Sequence, residues 1–237
     1  MTRALCLAAL ALPLAAQPKL LTNAKLDTRS AASGLEPAFH ALLAAEPQPA
    51  WIGYTVPSVR SYGLGCEYVS HDGDASFGPG AGVVHLEPPD HAIILFRVVA
   101  NAVERIRALS PDCEIDAGNV PVHWLNDVEP AQSVALLAAF VEQKPANPLN
   151  SAIHAIAMHD DPAADRALDR FLAPASPLPI RRRAVSALGS LPGGQGVPRL
   201  IDLVKTTQSP ELRKQAMSAL ESTHDPRALA FFEQILK

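Results

Sequence analysis

The chain has 237 residues, of which 48% are hydrophobic and 19% charged, with a formal net charge of −4. That is enough apolar material for one large or two small packed domains, and too little charge for a disordered chain. The mild acidic balance argues against bulk nucleic-acid binding, which needs a basic footprint.

The chain opens like an export signal. Met1-Thr2-Arg3 supplies a short positive start, Ala4–Ala16 is apolar, and Leu14-Ala15-Ala16 offers small residues for cleavage before Gln17. The run is shorter than the roughly 20 residues a membrane-spanning helix needs. A buried N-terminal helix or a simple membrane anchor is the other reading. With residues 1–16 removed, the protein is expected to be exported, periplasmic or extracellular, with no integral span. Cleavage also removes Cys6 and leaves Cys66 and Cys113. In an oxidising compartment two cysteines most simply form one disulfide, whereas in the cytosol they would be free thiols. No CxxC is present, so neither a zinc ribbon nor a thioredoxin-like site is indicated.

Residues 17–125 read as a small α+β domain. Ser33–Glu46 can form a helix bearing Leu35, Phe39, Leu42 and Leu43. Trp51–Val56 reads as a strand closed by Pro57, and a glycine-rich stretch follows from Gly63 to Gly82. Gly82–Glu87 suggests a short strand. Ile93–Val99 and Val103–Leu109 then form a β-hairpin around Ala100-Asn101-Ala102. One face carries Ile94, Phe96, Val98, Ile106 and Ala108 and is expected to meet a core. The other carries Arg97, Arg105 and Arg107 and is expected to meet solvent or a partner. A Cys66–Cys113 bridge would pin the glycine-rich loop to this hairpin.

Residues 126–237 carry an internal period of 32. Ile180-Arg-Arg-Arg-Ala184-Val-Ser-Ala187-Leu188 matches Leu212-Arg-Lys-Gln-Ala216-Met-Ser-Ala219-Leu220 at that shift. Ala152, Ala155 and Ile156 fall on Ala184, Ala187 and Leu188. Leu168, Leu200 and Phe232 align in the second helix of each unit. Asp161-Pro162, Ser209-Pro210 and Asp225-Pro226 are helix starts, since Asp or Ser caps free N–H groups and Pro suits the first helical position. The middle unit has Gly193-Gly194 instead, which predicts a looser turn. The expected helices run near 130–142, 149–159, 162–173, 179–190, 195–206, 210–222 and 226–236, each with one apolar stripe that stacking neighbours bury. On the same register Val120–Leu125 is a degraded half-repeat that caps the stack, with Trp124 as interface anchor, or else an ordinary linker.

The A-x-x-A-L core of the first helices and Asp225-Pro226-Arg227-Ala228-Leu229 resemble the HEAT-like repeats first associated with phycobilisome lyases, over roughly residues 120–237. The expected fold is therefore mostly α, an armadillo-like helical α-solenoid preceded by a small α+β domain with a β-hairpin. The resemblance implies a scaffold or protein-binding surface, and only occasionally an enzyme. Some HEAT-like proteins, the deoxyhypusine hydroxylases, hold two irons through repeated His-Glu pairs. None of the eight histidines here is followed by Glu, and His154, His159 and His224 do not share a register position. His71-Asp72-Gly73-Asp74 has turn composition and too few oxygens for a calcium loop. Gly78–Gly82 lacks nucleotide-binding spacing. No metal, no cofactor and no catalytic residue is assigned.

Arg181 and Arg213 are 32 apart, as are Arg182 and Lys214. Stacking would set them in a basic ladder on the exposed side of the first helices. Such charges commonly form a solvated face with local ion pairs. The sharper expectation is an acidic partner. Two functions follow: a non-enzymatic interaction or scaffold module that docks a protein, or a lyase-like or metal-dependent enzyme with its site at the junction of the two domains.

Overall fold

The computed structural model describes residues 21–46, 48–59, 66–69, 75–78, 86–143 and 150–236. Residues 1–16, read above as an export signal, and His71–Asp74, read as a turn, lie outside the described residues. In chain order the elements are β1 (Leu21–Thr22), β2 (Lys25–Ser30), α1 (Leu35–Ala45), β3 (Ala50–Pro57), β4 (Cys66–Val69), β5 (Ala75–Gly78), β6 (His91–Val99), β7 (Ala102–Leu109), β8 (Ile115–Asp116) and β9 (Pro121–Asn126). The helices α2 (Pro130–Gln143), α3 (Asn150–Ala157), α4 (Pro162–Leu172), α5 (Leu178–Gly189), α6 (Val197–Thr206), α7 (Pro210–Ser222) and α8 (Pro226–Ile235) follow. The fold is mostly α, with a HEAT-like helical stack behind a small α+β region.

Five strands form one sheet in the order β2-β9-β3-β6-β7. The β6–β7 hairpin turns through Ala100 and Asn101, both at positive φ, a conformation Asn tolerates because its amide can bond locally. Asn101 also donates to the carbonyls of Leu43 and Ala44, so the turn caps the C-terminal end of α1. Side chains alternate across each strand. Ile52, Tyr54, Val56, Ile94, Phe96, Val98 and Ile106 face the helices and merge with Leu35, Phe39 and Leu42 of α1 into the main core. Phe39, Phe96 and Phe140 of α2 meet there edge-on or tilted, with centroids 4.8 to 5.8 Å apart.

The opposite face is not left to solvent. Ile93, Leu95, Leu109, Cys113 and Trp124 form a second, smaller core, and Trp51 and Cys66 pack on it. The Trp124 ring lies over Gly53 of β3, where a Cβ would come within 2.9 Å of it. The side of the hairpin expected to meet solvent or a partner is therefore partly occupied by the protein itself, with Arg97 stacked over Trp51 at 5.5 Å.

Three sequence readings are corrected here. Val120–Leu125 is not a half-repeat helix: Pro121–Asn126 is a strand, paired in parallel with β2 on one side and β3 on the other. Val122 and Trp124 alternate with His123 and Leu125, the period of a strand, and Pro121 sits at its first residue, where a strand accepts proline. Trp124 accordingly points away from the solenoid. Leu86 and Glu87, expected to end a short strand, lie in a bend; Gly82 to His85 are outside the described residues.

In the stack, α3, α5 and α7 form one row and α2, α4, α6 and α8 the other, with Arg199 of α6 paired to Asp165 and Asp169 of α4. Upstream of α3 the first row has no helix, and α3 packs there on the strand β7. Asp161, Ser209 and Asp225 each accept a backbone N–H two or three residues on, as their positions before proline predict. The Gly193-Gly194 turn is braced, not loose. Both glycines have positive φ, and Arg227 donates to both carbonyls at 3.3 and 2.8 Å.

The two regions share backbone hydrogen bonds. Val59 N–H donates to Met158 O at 2.9 Å, and Asp160 N–H to Pro57 O at 3.2 Å. The end of β3 is thereby sewn to the loop after α3.

Candidate binding groove on the helical stack

The arginines at equivalent repeat positions do equivalent work. Arg181 Nε donates to Leu172 O at 3.1 Å, and Arg213 Nε to Val204 O at 3.3 Å. Donors and acceptors alike are 32 residues apart. Each guanidinium satisfies a carbonyl at the end of the preceding helix, where the last four have no partner within their own helix. Arg182 turns instead to Glu211, 2.7 Å away on the next helix of the row, and Gln215 reaches back to Arg182 O and Ser186 Oγ. Lys214 is exposed on the outer side of α7. The four cations expected to form one ladder thus sit at equivalent positions but are differently engaged.

A groove of about 590 Å³ runs across α3, α5 and α7. Its walls include His154, Leu178, Arg182, Arg183, Glu211 and Gln215. Burial lowers the pKa of His154, so at neutral pH its ring is uncharged and both donates and accepts. The groove offers guanidinium donors, a neutral imidazole, amide and hydroxyl groups, and an apolar end at Leu178.

At the junction of sheet and stack lies a buried polar chain that sequence reading missed. Tyr54 Oη is 2.8 Å from Ser133 Oγ, which is 2.8 Å from His159 Nε2. His159 Nδ1 lies 2.7 Å from Ala155 O. A carbonyl can only accept, so Nδ1 carries the proton and Nε2 of the neutral ring accepts from Ser133. Ser133 must then accept from Tyr54. Burial keeps His159 below its ordinary pKa and raises Tyr54 above its own, so both stay neutral. Ser and His stand at the distance of a nucleophile and its base, yet Tyr54 and Ser133 are fully buried and His159 nearly so. No sequence motif marks this chain, because its members are 79 and 26 residues apart.

His123 is held between Asp27 at 3.2 Å and Glu46 at 2.9 Å, tying β9 to β2 and to the end of α1. Its Nε2 makes no hydrogen bond to Glu46 at that distance. Asp27 is held below the usual carboxylate range, first by Arg29 and then by His123. Among the described residues no three His, Cys, Asp or Glu side chains are grouped to hold a metal ion, and no helix is long and apolar enough to cross a membrane.

Cys66 and Cys113 are joined by a disulfide, as their count suggested. It floors a pocket of about 260 Å³ on the far face of the sheet, beside Trp51, Leu95, Leu109 and Trp124.

A family model described as HEAT repeats matches residues 171–237. This segment is a HEAT-repeat array. The match begins at the end of α4 and takes in α5 to α8; α2, α3 and the rest of α4 continue the same two rows upstream. No curated protein and no solved structure matches the chain. HEAT repeats commonly mediate protein binding, which gives the groove its context.

Proposed function

We propose that this protein is an exported, non-catalytic interaction module whose HEAT-repeat stack docks a protein partner along the groove across α3, α5 and α7. The observation that carries the reading is the groove itself. It crosses three successive helices of one row and sets two guanidinium groups, Arg182 already paired with Glu211 of the same groove, beside apolar surface, which suits a partly apolar segment whose carboxylate competes for that pair. The continuous core from sheet to stack supports a rigid platform. The disulfide and the signal-like first 16 residues support an oxidising compartment.

The test is recovery of partners from the envelope fraction by the wild-type protein and by Arg182→Glu/Arg183→Glu. A partner captured by the first and lost by the second supports the groove; equal recovery overturns it. Export is checked by the mass of the protein recovered from outside the cytosol. A mature chain starting at Gln17 is expected, and a cytosolic full-length chain with free thiols overturns that part. A junction enzyme gains no support, since the polar groups that converge there are sealed from substrate.

A further inference from the structure

The repeat formed by α7 and α8 exposes what the one before it buries. In α5 and α6, Val185, Val197, Leu200, Leu203 and Val204 are at most 8% exposed. Thirty-two residues on stand Met217, Leu229, Phe232, Ile235 and Leu236. Met217 and Phe232 are only half-buried, and Leu229, Ile235 and Leu236 are 62%, 48% and 86% exposed. A cavity of about 690 Å³ opens beside them, lined by Arg213, Lys214, Met217, Glu221 and Phe232.

One position says what can cover this end. Within the stack, Gly189 of α5 lets α7 approach so closely that a Cβ there would meet Ala219 Cβ at 3.1 Å. The equivalent residue in α7 is Glu221. A further repeat could not settle on α7 as closely as α7 settles on α5 without displacing the Glu221 side chain, which stands where α5 has glycine. An occupant that leaves that side chain in place must bring a cation to Glu221. On the same face of α7, two turns earlier, stands Lys214. Neither has an ion-pair partner among the described residues. A second α7 crossing antiparallel, with its twofold axis near Met217, puts each Lys214 against the other chain's Glu221 and Met217 against its own copy. One patch that complements itself in this way is what a twofold interface requires.

We propose that the open end formed by α7 and α8 is a self-association surface that takes a second copy of this chain, with reciprocal Lys214–Glu221 pairs around an apolar centre of Met217, Phe232 and the exposed residues of α8. The surface lies apart from the groove, so one proposal can fail without the other.

Sedimentation of the full disulfide-bonded chain at up to about 100 μM tests it, a range that detects dissociation constants in the micromolar region. A dimer is expected. Lys214→Glu and Glu221→Lys should each weaken it by at least about tenfold, since each sets like charges face to face twice. The double variant Lys214→Glu/Glu221→Lys exchanges the charges and should restore the dimer, which a merely misfolded end would not do. Arg182→Glu/Arg183→Glu should leave it dimeric. A wild-type monomer at the highest concentration overturns the proposal and leaves this end to a foreign partner. A dimer indifferent to the single variants, or one not restored by the double, also overturns it.

Discussion

The α+β region and the helical stack satisfy their buried polar groups and constrain their chains in opposite ways. The stack uses small devices that recur: an Asp or Ser cap before proline, and an arginine on the last carbonyls of the preceding helix, at Arg181 and again at Arg213. The sheet and its junction use single devices that join distant parts of the chain. The disulfide spans a separation of 47 residues, and the Tyr54–Ser133–His159 chain draws on β3, α2 and the loop after α3. Losing a recurring device should loosen one joint. Losing a single one should weaken the whole molecule.

The largest effect is expected from Cys113→Ser. A loop of this length contributes about 4 kcal/mol in the chain-entropy description. Urea unfolding of wild type and variant under oxidising conditions measures it, and amide exchange should show first loss on β6, β7 and β9. Ser133→Ala comes next. It leaves a buried tyrosine hydroxyl and an imidazole nitrogen without partners, at about 1–3 kcal/mol each. Tyr54→Phe should cost less, because Ser133 keeps its bond to His159. If both variants unfold at the wild-type midpoint, the junction is not the shared fastening described here.

Acid should act on the same junction. His159 and His154 have folded-state pKa values lowered by burial, so below about pH 6.5 the unfolded chain binds protons that the folded one refuses. Stability should therefore fall as pH drops through that region, by at most about 1.4 kcal/mol per pH unit for each histidine. Tyr54 acts at the other end: its raised pKa makes the unfolded chain lose its proton first, so stability should decline again above about pH 10. His159→Gln should make the acid limb shallower, leaving the part due to His154, and should not change the alkaline limb. Smaller still, Arg181→Ala and Arg213→Ala should each cost about 1 kcal/mol and combine additively. Amide exchange should rise at the ends of α4 and α6 respectively and little elsewhere.

Legibility in the sequence follows the same division. Helix positions from Pro130 onward could be read closely, because caps, prolines and apolar spacing repeat and check one another. The β6–β7 hairpin and α1 were also readable from their own apolar patterns. The strand β2 was not: Lys25-Leu-Asp-Thr-Arg-Ser30 is exposed along its length, an edge strand whose charges protect it and hide it. β9 was misread because the 32-residue register was carried one step beyond the point where helices replace strands. β9 lies inside the sheet between β2 and β3, and the strand that packs on α3 is β7. The arginine positions were visible as a period, but their work was not, because a guanidinium that closes a helix end and one that awaits an acidic partner look alike in sequence. Tyr54, Ser133 and His159 left no sign, since only the fold brings them together.

The placement of β9 also bears on how the molecule would respond to force. It is the strand that runs on into α2, and β2, near the start of the described chain, lies parallel to it along six paired positions from Lys25↔Pro121 to Ser30↔Asn126. Tension between an anchor at the N-terminal side and a load on the helices would draw these two parallel neighbours past each other lengthwise. The ladder would be loaded along all its rungs at once, not opened from one end. The helices could then stretch and part like a spring while the sheet held as its fixed mount.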